Sequence, residues 1–298
     1  MGTVVEVQII LEGQGREHEG RELIERSIAE MVRLQDLLSS VDADSEFSRW
    51  MKDTSIEPGA ELTSVLAEAA TWQGRSRGRF NPAIGTLSAL WLEAQETDTI
   101  PERETAAMVA TSIAEPRWVV DEAGAIRSIA DCRGCTLNAF AKGWIVDRAV
   151  ELLVEAGVRS ATVNAGGDLR RVGPDPLEVG IEDPFRSFDN EPPITAIAIA
   201  DAALATSGSA RKGFTVNGTR FGHVIDPRTG WPVDAIRSIS VVAPTAAAAD
   251  AYATMLGVES PTRAIAEGEE LGLAVMVVDD ERGLHRSELW RMMEVPIN

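Results

Sequence analysis

Basic residues are the first shortage in this chain: 28 Lys and Arg stand against 47 Asp and Glu, for a formal charge of -19. That balance excludes broad binding to nucleic acid or anionic membrane, which needs concentrated Lys and Arg. A phosphorylated ligand would have to be met by a metal ion or by a few placed cations. Cysteine is nearly absent. Cys132 and Cys135 form a lone C-x-x-C, with no second Cys/His pair at zinc spacing and no thioredoxin-like βαβ context, so a reduced turn in an intracellular protein is expected. No apolar run approaches membrane-spanning length, which argues against membrane insertion. No secretory signal precedes the alternating pattern that begins at Val4, and Glu6 stands where a myristoylation motif needs Ser or Thr. A cytoplasmic protein is expected. Dinucleotide, Walker, G-x-S-x-G and H-E-x-x-H motifs are all missing.

What is present is apolar material for a sizeable core, 44% of 298 residues. Hydrophobic periodicity predicts a strand over 3–12, a helix over 20–39, a polar loop over 39–49 and a helix over 60–73. Further strands are expected near 117–120, 161–164, 177–182, 194–200, 237–242, 271–279 and 283–287, with helices from about 138 to 156 and over 245–257. Strands and helices interleave without a strict βαβ rhythm. The expected class is α+β: mixed β-sheets with packed helices, arranged as two intimately associated α+β subdomains of a single 1–298 domain.

Chemistry concentrates in a few places. Gly222-His223-Val224-Ile225-Asp226-Pro227-Arg228-Thr229-Gly230 puts one of only three histidines where a strand becomes a tight turn. Asp250 and Thr254 lie one helical turn apart, so both oxygens can point at one spot, and Asp250 interrupts an Ala-rich, buried-looking helix. Carboxylate plus hydroxyl suits Mg²⁺. Lys142 opens a helix, where an ammonium opposes the helix dipole and a bound anion would resolve the conflict. Asn164-Ala165-Gly166-Gly167-Asp168 resembles a strand-end phosphate or ribose loop, and Ala205-Thr206-Ser207-Gly208-Ser209 a phosphate-binding turn or a plain loop.

In this order the segments resemble the ApbE family, the FAD:protein FMN transferases. The likeness is carried by Met1-Gly2-Thr3, Asp44-Ser45-Glu46-Phe47-Ser48-Arg49, Phe80-Asn81-Pro82-Ala83-Ile84-Gly85-Thr86-Leu87, Ala141-Lys142-Gly143-Trp144-Ile145-Val146-Asp147, the Asn164 and Ala205 segments, the His223 turn and Ala249-Asp250-Ala251-Tyr252-Ala253-Thr254. The resemblance implies cleavage of FAD at its pyrophosphate, transfer of FMN to a Thr or Ser of an acceptor flavoprotein, and release of AMP. It implies Mg²⁺ held by Asp250, Thr254 and the backbone carbonyl of Ala139. It places FAD, the substrate, at Met1, Val41, Arg79, Phe80, Asn81, Thr136, Lys142 and Val224. His223 becomes the candidate general base, since an imidazole can accept a hydroxyl proton near neutrality. Asp226 and Arg228 are expected to brace its loop. Four positions depart from the family pattern, all on the flavin or adenine side: Thr136 for Asp, Val41 for Tyr, Asn81 for Asp, and Leu92-Glu93-Ala94 after Trp91 for Gly-Phe-Gly. The alternatives are an FAD pyrophosphatase, with water replacing the protein hydroxyl, and a non-catalytic flavin-binding protein.

Overall fold

The structure, a computed structural model, describes residues 3–186, 192–208 and 213–297. It opens with strand β1 (Val5–Ile10) and helix α1 (Glu17–Leu38), then α2 (Glu46–Lys52), α3 (Ala60–Arg75), a 3-10 turn (Pro82–Ile84), α4 (Gly85–Glu96) and α5 (Arg103–Ser112). A hairpin of β2 (Trp118–Val120) and β3 (Ile126–Ser128) precedes α6 (Ala141–Glu155). Next come β4 (Ser160–Ala165), β5 (Asp168–Val172), β6 (Leu177–Ile181), β7 (Thr195–Ile199) and β8 (Ala202–Gly208). Two short hairpins, β9 (Gly213–Val216) with β10 (Thr219–Gly222) and β11 (Ile225–Asp226) with β12 (Trp231–Pro232), lead to β13 (Ile236–Ala243). Then follow α7 (Ala246–Leu256), α8 (Pro261–Glu270), β14 (Ala274–Asp279), β15 (Leu284–Arg286), α9 (Glu288–Met293) and β16 (Glu294–Val295).

The chain divides into two units. The first comprises Met1–Gln35, Lys142–Ala210 and Ala235–Asn298. It is built on a seven-stranded sheet of order β1-β4-β5-β8-β13-β14-β15. Side-chain alternation along a strand gives this sheet two different faces. Leu169, Leu204, Val242, Ala274, Met276 and Val278 point one way and form a core with Ile181, Ile197 and Ile199 of the β6-β7-β16 sheet and with Trp290 of α9. On β5, Asp168 and Arg170 flank Leu169 and so belong to the opposite face. Helix α7 packs on β5, β8 and β13, and α8 on β14. Small residues permit that approach: Ala203 and Ala205 of β8 are buried, and α7 itself is mostly alanine.

The second unit comprises Asp36–Ala141 and Arg211–Asp234. Its helices and hairpins bury aromatics whose polar atoms find backbone partners, as a buried indole N–H requires. Trp118 donates to the Leu66 carbonyl at 2.8 Å and Trp91 to the Gly230 carbonyl at 2.9 Å. Trp91 also meets Phe221 and Trp231 with ring centroids 4.9 and 5.0 Å apart.

The α+β class is as expected, but every pairing among the described strands is antiparallel where mixed sheets were anticipated. Even the long connections return the chain beside a strand of opposite direction. Two expected loops are elements. The 39–49 loop gives way at Ser45, whose hydroxyl accepts the Ser48 amide and so caps α2. Ala205–Gly208 is not a phosphate turn but part of β8, held between β5 and β13 with Thr206 hydrogen-bonded to Ser240 at 2.8 Å. Ser209 lies outside the described residues.

Candidate active site

In the first unit the site grows from α7. Thr245 caps the helix by accepting the Ala248 amide, and the Ala-rich repeat buries one face against the sheet. Asp250 is buried, 7% exposed, and Thr254 is half-buried one turn further on. The main-chain N–H of Gly143 donates to Asp250 Oδ2 at 3.4 Å. Asp168, also fully buried, forms a salt bridge with Lys142.

Lys142 thus has a protein anion, Asp168, as its partner at the start of α6. The sheet pleat turns Asp168 toward α6 and supplies the carboxylate. Two buried carboxylates share one ammonium. Burial raises the pKa of Asp168, opposed by the charge of Lys142. Burial pushes Asp250 well above the usual carboxylate range, and the charge of Asp168 adds to it.

That excess of buried negative charge is what a hard dication would relieve. Among the described residues no group of three or more His, Cys, Asp or Glu could hold a metal. A cation at Asp250 would therefore complete its shell from hydroxyl, carbonyl and water oxygens, the donor set that suits Mg²⁺. The residues present fit such an ion.

The second unit holds the other site positions. His223, half-buried, and Val224 occupy the step between β10 and β11. The turn below them is braced as expected. Asp226 accepts from the Arg228 main-chain N–H and from Arg228 Nε, both at 2.9 Å, and its carbonyl accepts from Gly230 at 2.8 Å. Gly230 is at φ 72°, and a Cβ there would stand 2.4 Å from the Ala106 carbonyl oxygen. Only glycine fits.

The Arg79–Asn81 segment lies beside this turn: a Cβ on Gly78 would be 3.7 Å from Arg228 Cγ. Arg79, Phe80 and Asn81 are all buried. Asn81 donates to the Ile113 carbonyl at 2.7 Å and accepts from the Ala83 N–H at 2.9 Å, so its amide is engaged in holding the 3-10 turn. Phe80 packs edge-on to Phe140, with centroids 5.8 Å apart. Thr136 joins the same segment through its N–H to the Pro82 carbonyl at 2.7 Å. Ala139 is half-buried two residues before α6. Val41, by contrast, is 92% exposed on the loop after α1. Met1 lies outside the described residues.

Sequence reasoning gave no role to Asp147 and Arg170 of the first unit, where Arg170 donates to Asp147 Oδ1 at 2.8 Å, nor to Asp168 as the partner of Lys142. A signal for Asp147 existed, since it is a carboxylate one turn after Gly143 in an otherwise apolar helical stretch.

The model of the ApbE family matches residues 1–277, and the chain belongs to that family. A Vibrio cholerae serotype O1 protein named FAD:protein FMN transferase is 31% identical over 265 residues, spanning 84% of this chain and 78% of that protein. The Escherichia coli K12 protein of the same name is 27% identical over 274 residues, spanning 87% and 77%. Among solved structures, the ApbE protein of Thermotoga maritima MSB8 superposes with a TM-score of 0.83 at 25% identity, covering 99% of both chains. A His-to-Gly mutant of flavin transferase ApbE from Vibrio cholerae gives 0.79 at 26% identity, covering 98% of this chain and 96% of that one.

Proposed function

We propose that this chain is a Mg²⁺-dependent FAD:protein FMN transferase. FAD and an acceptor hydroxyl react to give an FMN phosphoester on Thr or Ser, with AMP leaving. Family membership supports the reaction class. The observation that carries the metal dependence is the buried Asp250–Asp168 pair with Lys142 as its basic partner.

Asp250 and Thr254 would hold the ion, with the Ala139 carbonyl as the further ligand implied by the family resemblance. Bound Mg²⁺ would withdraw charge from the pyrophosphate oxygens and favour departure of AMP. Lys142, kept in place by Asp168, supplies fixed positive charge to phosphate. His223, on its braced turn, takes the proton of the incoming hydroxyl. The flavin side falls to Arg79, Phe80, Asn81, Thr136, Val41, Met1 and Val224. Because Arg79 and Asn81 are buried, they shape the surrounding backbone as much as they offer side chains. The proposal draws on residues of both units, and its test is functional.

No helix among the described residues is long and apolar enough to cross a membrane. The two buried free thiols, Cys132 and Cys135, suit a reducing compartment, and we place the reaction in the cytoplasm.

The test is AMP release from FAD with Mg²⁺, with and without a Thr-bearing acceptor flavoprotein, for the wild type and for Asp250→Ala. Acceptor-dependent AMP release that Asp250→Ala abolishes is expected. Acceptor-independent release of free FMN would instead make the protein a pyrophosphatase.

A further inference from the structure

Helix α7 carries the two side chains assigned to the metal, and its first two turns offer the sheet mostly alanines, which interlock weakly. Its N-terminus is held by side chains from α6 and β5. Asp147 is a buried carboxylate on α6, and its two oxygens accept the first two N–H groups of α7: Oδ1 from Ala246 and Oδ2 from Ala247, both at 2.9 Å. Arg170 of β5 donates to the same Oδ1 at 2.8 Å. One turn earlier on α6, Gly143 lies against the Ala246 carbonyl, where an added Cβ would stand 2.2 Å from the oxygen. The Gly143 N–H in turn reaches Asp250.

We propose that Asp147 is a positioning residue for the metal site. It is a side chain from one helix capping the N-terminus of another, and it sets the height at which Asp250 and Thr254 are presented. The inference rests on the reading of Asp250 and Thr254 as metal ligands. The physical case has two parts. A bidentate carboxylate on two main-chain N–H groups allows one register only, and its negative charge suits the positive end of α7. The Arg170 guanidinium then holds that carboxylate in its rotamer and offsets part of its burial. The spacing Lys142-Gly143-x-x-x-Asp147 therefore reads as one device. Lys142 faces Asp168, Gly143 admits α7, and Asp147 grips it.

Asp147→Asn tests this. The amide keeps the volume but turns one acceptor into a donor facing an N–H. In the metal-free protein without FAD, Mn²⁺ binding followed by electron paramagnetic resonance should weaken at least tenfold. In turnover, the Mg²⁺ concentration for half-maximal rate should rise by a similar factor, while kcat at saturating Mg²⁺ stays within about threefold. Asp147→Glu should not rescue, because the longer side chain cannot keep both bonds in register. Ile197→Ala, a buried strand substitution in the same unit's separate apolar core, controls for general destabilisation. Unchanged Mn²⁺ affinity in Asp147→Asn, or equal weakening in Ile197→Ala, overturns the proposal. If the transferase reading fails because neither protein releases AMP, the Mn²⁺ comparison still decides the role of Asp147.

Discussion

Replacing Gly143 with alanine gives a prediction whose sign is set by competition between two effects. Alanine is the better helix former by at most about 1 kcal/mol, so propensity alone favours the change. Against this, the new Cβ would stand 2.2 Å from Ala246 O, 2.4 Å from Ala246 C and 2.8 Å from Ala247 N, all of them backbone atoms. No rotamer relieves that clash, and α7 would have to retreat by about 1 Å to restore ordinary contact. Overpacking of this kind costs about 1–3 kcal/mol, so the steric effect wins and Tm should fall by about 2–6 °C. A 1 Å displacement of groups serving the chemistry can cost about a hundredfold in rate, and AMP release should drop by that order. Gly74→Ala is the contrasting case. Gly74 is an exposed glycine within α3 with nothing within 4 Å of the added Cβ, so stability should rise by about 0.5–1 kcal/mol at unchanged activity. Thermal melts read both variants. A Gly143→Ala protein that melts at or above wild type would refute the close approach of α6 and α7.

Other consequences follow from the same geometry. The Cys132 thiol, hydrogen-bonded by Cys135, is lowered to about 7, whereas the same bond and burial push the Cys135 thiol far above its ordinary range. Thiolate absorbance at 240 nm should therefore show one group titrating near pH 7 and none near pH 9, and Cys135→Ala should move that midpoint upward; two thiols titrating together near the free value would contradict it. A lowered pKa for Cys132 binds fewer protons in the folded state than in the unfolded, so its stabilisation grows from pH 7 toward 9. The raised Cys135 reverses the slope above about pH 9. Asn81→Ala leaves the Ile113 carbonyl and the Ala83 N–H unpaired in a buried place and should cost about 1–3 kcal/mol, visible as a lower denaturant midpoint at unchanged m-value. His223→Ala should reduce kcat by about 10²–10⁴ with little change in Tm, whereas Asp226→Ala, which frees the turn, should lower both.

The most legible elements were those with one strong period. Helix α7 and the strands β4, β7 and β13 lie within a residue or two of expectation, because apolar and small residues run through each of them and polar turn residues bound them. The segments misread as loops, α2 and β8, have polar or small residues whose structure depends on partners: Ser45 caps one, and β5 and β13 flank the other. The site shows the same division. The proximity of Asp250 and Thr254 is local, four residues along one helix, and could be read directly. The salt bridge of Lys142 with Asp168, and the grip of Asp147 on residues 99 and 100 positions away, arise from tertiary contacts that no sequence period encodes. The bracing of the His223 turn lay between, since Asp226, Pro227 and Gly230 carry the turn chemistry in their own order.

Under the proposed function, the chain moves FMN from FAD onto a protein hydroxyl with the help of a metal held at Asp250. Intact-mass measurement of an acceptor flavoprotein after incubation with the chain, FAD and Mg²⁺ addresses it most directly. The acceptor should gain the mass of one FMN less one water, and lose that gain when its Thr is changed to Ala, when Mg²⁺ is chelated, or when Asp250→Ala replaces the wild type. An acceptor of unaltered mass, or a gain that persists in the presence of chelator, would contradict it.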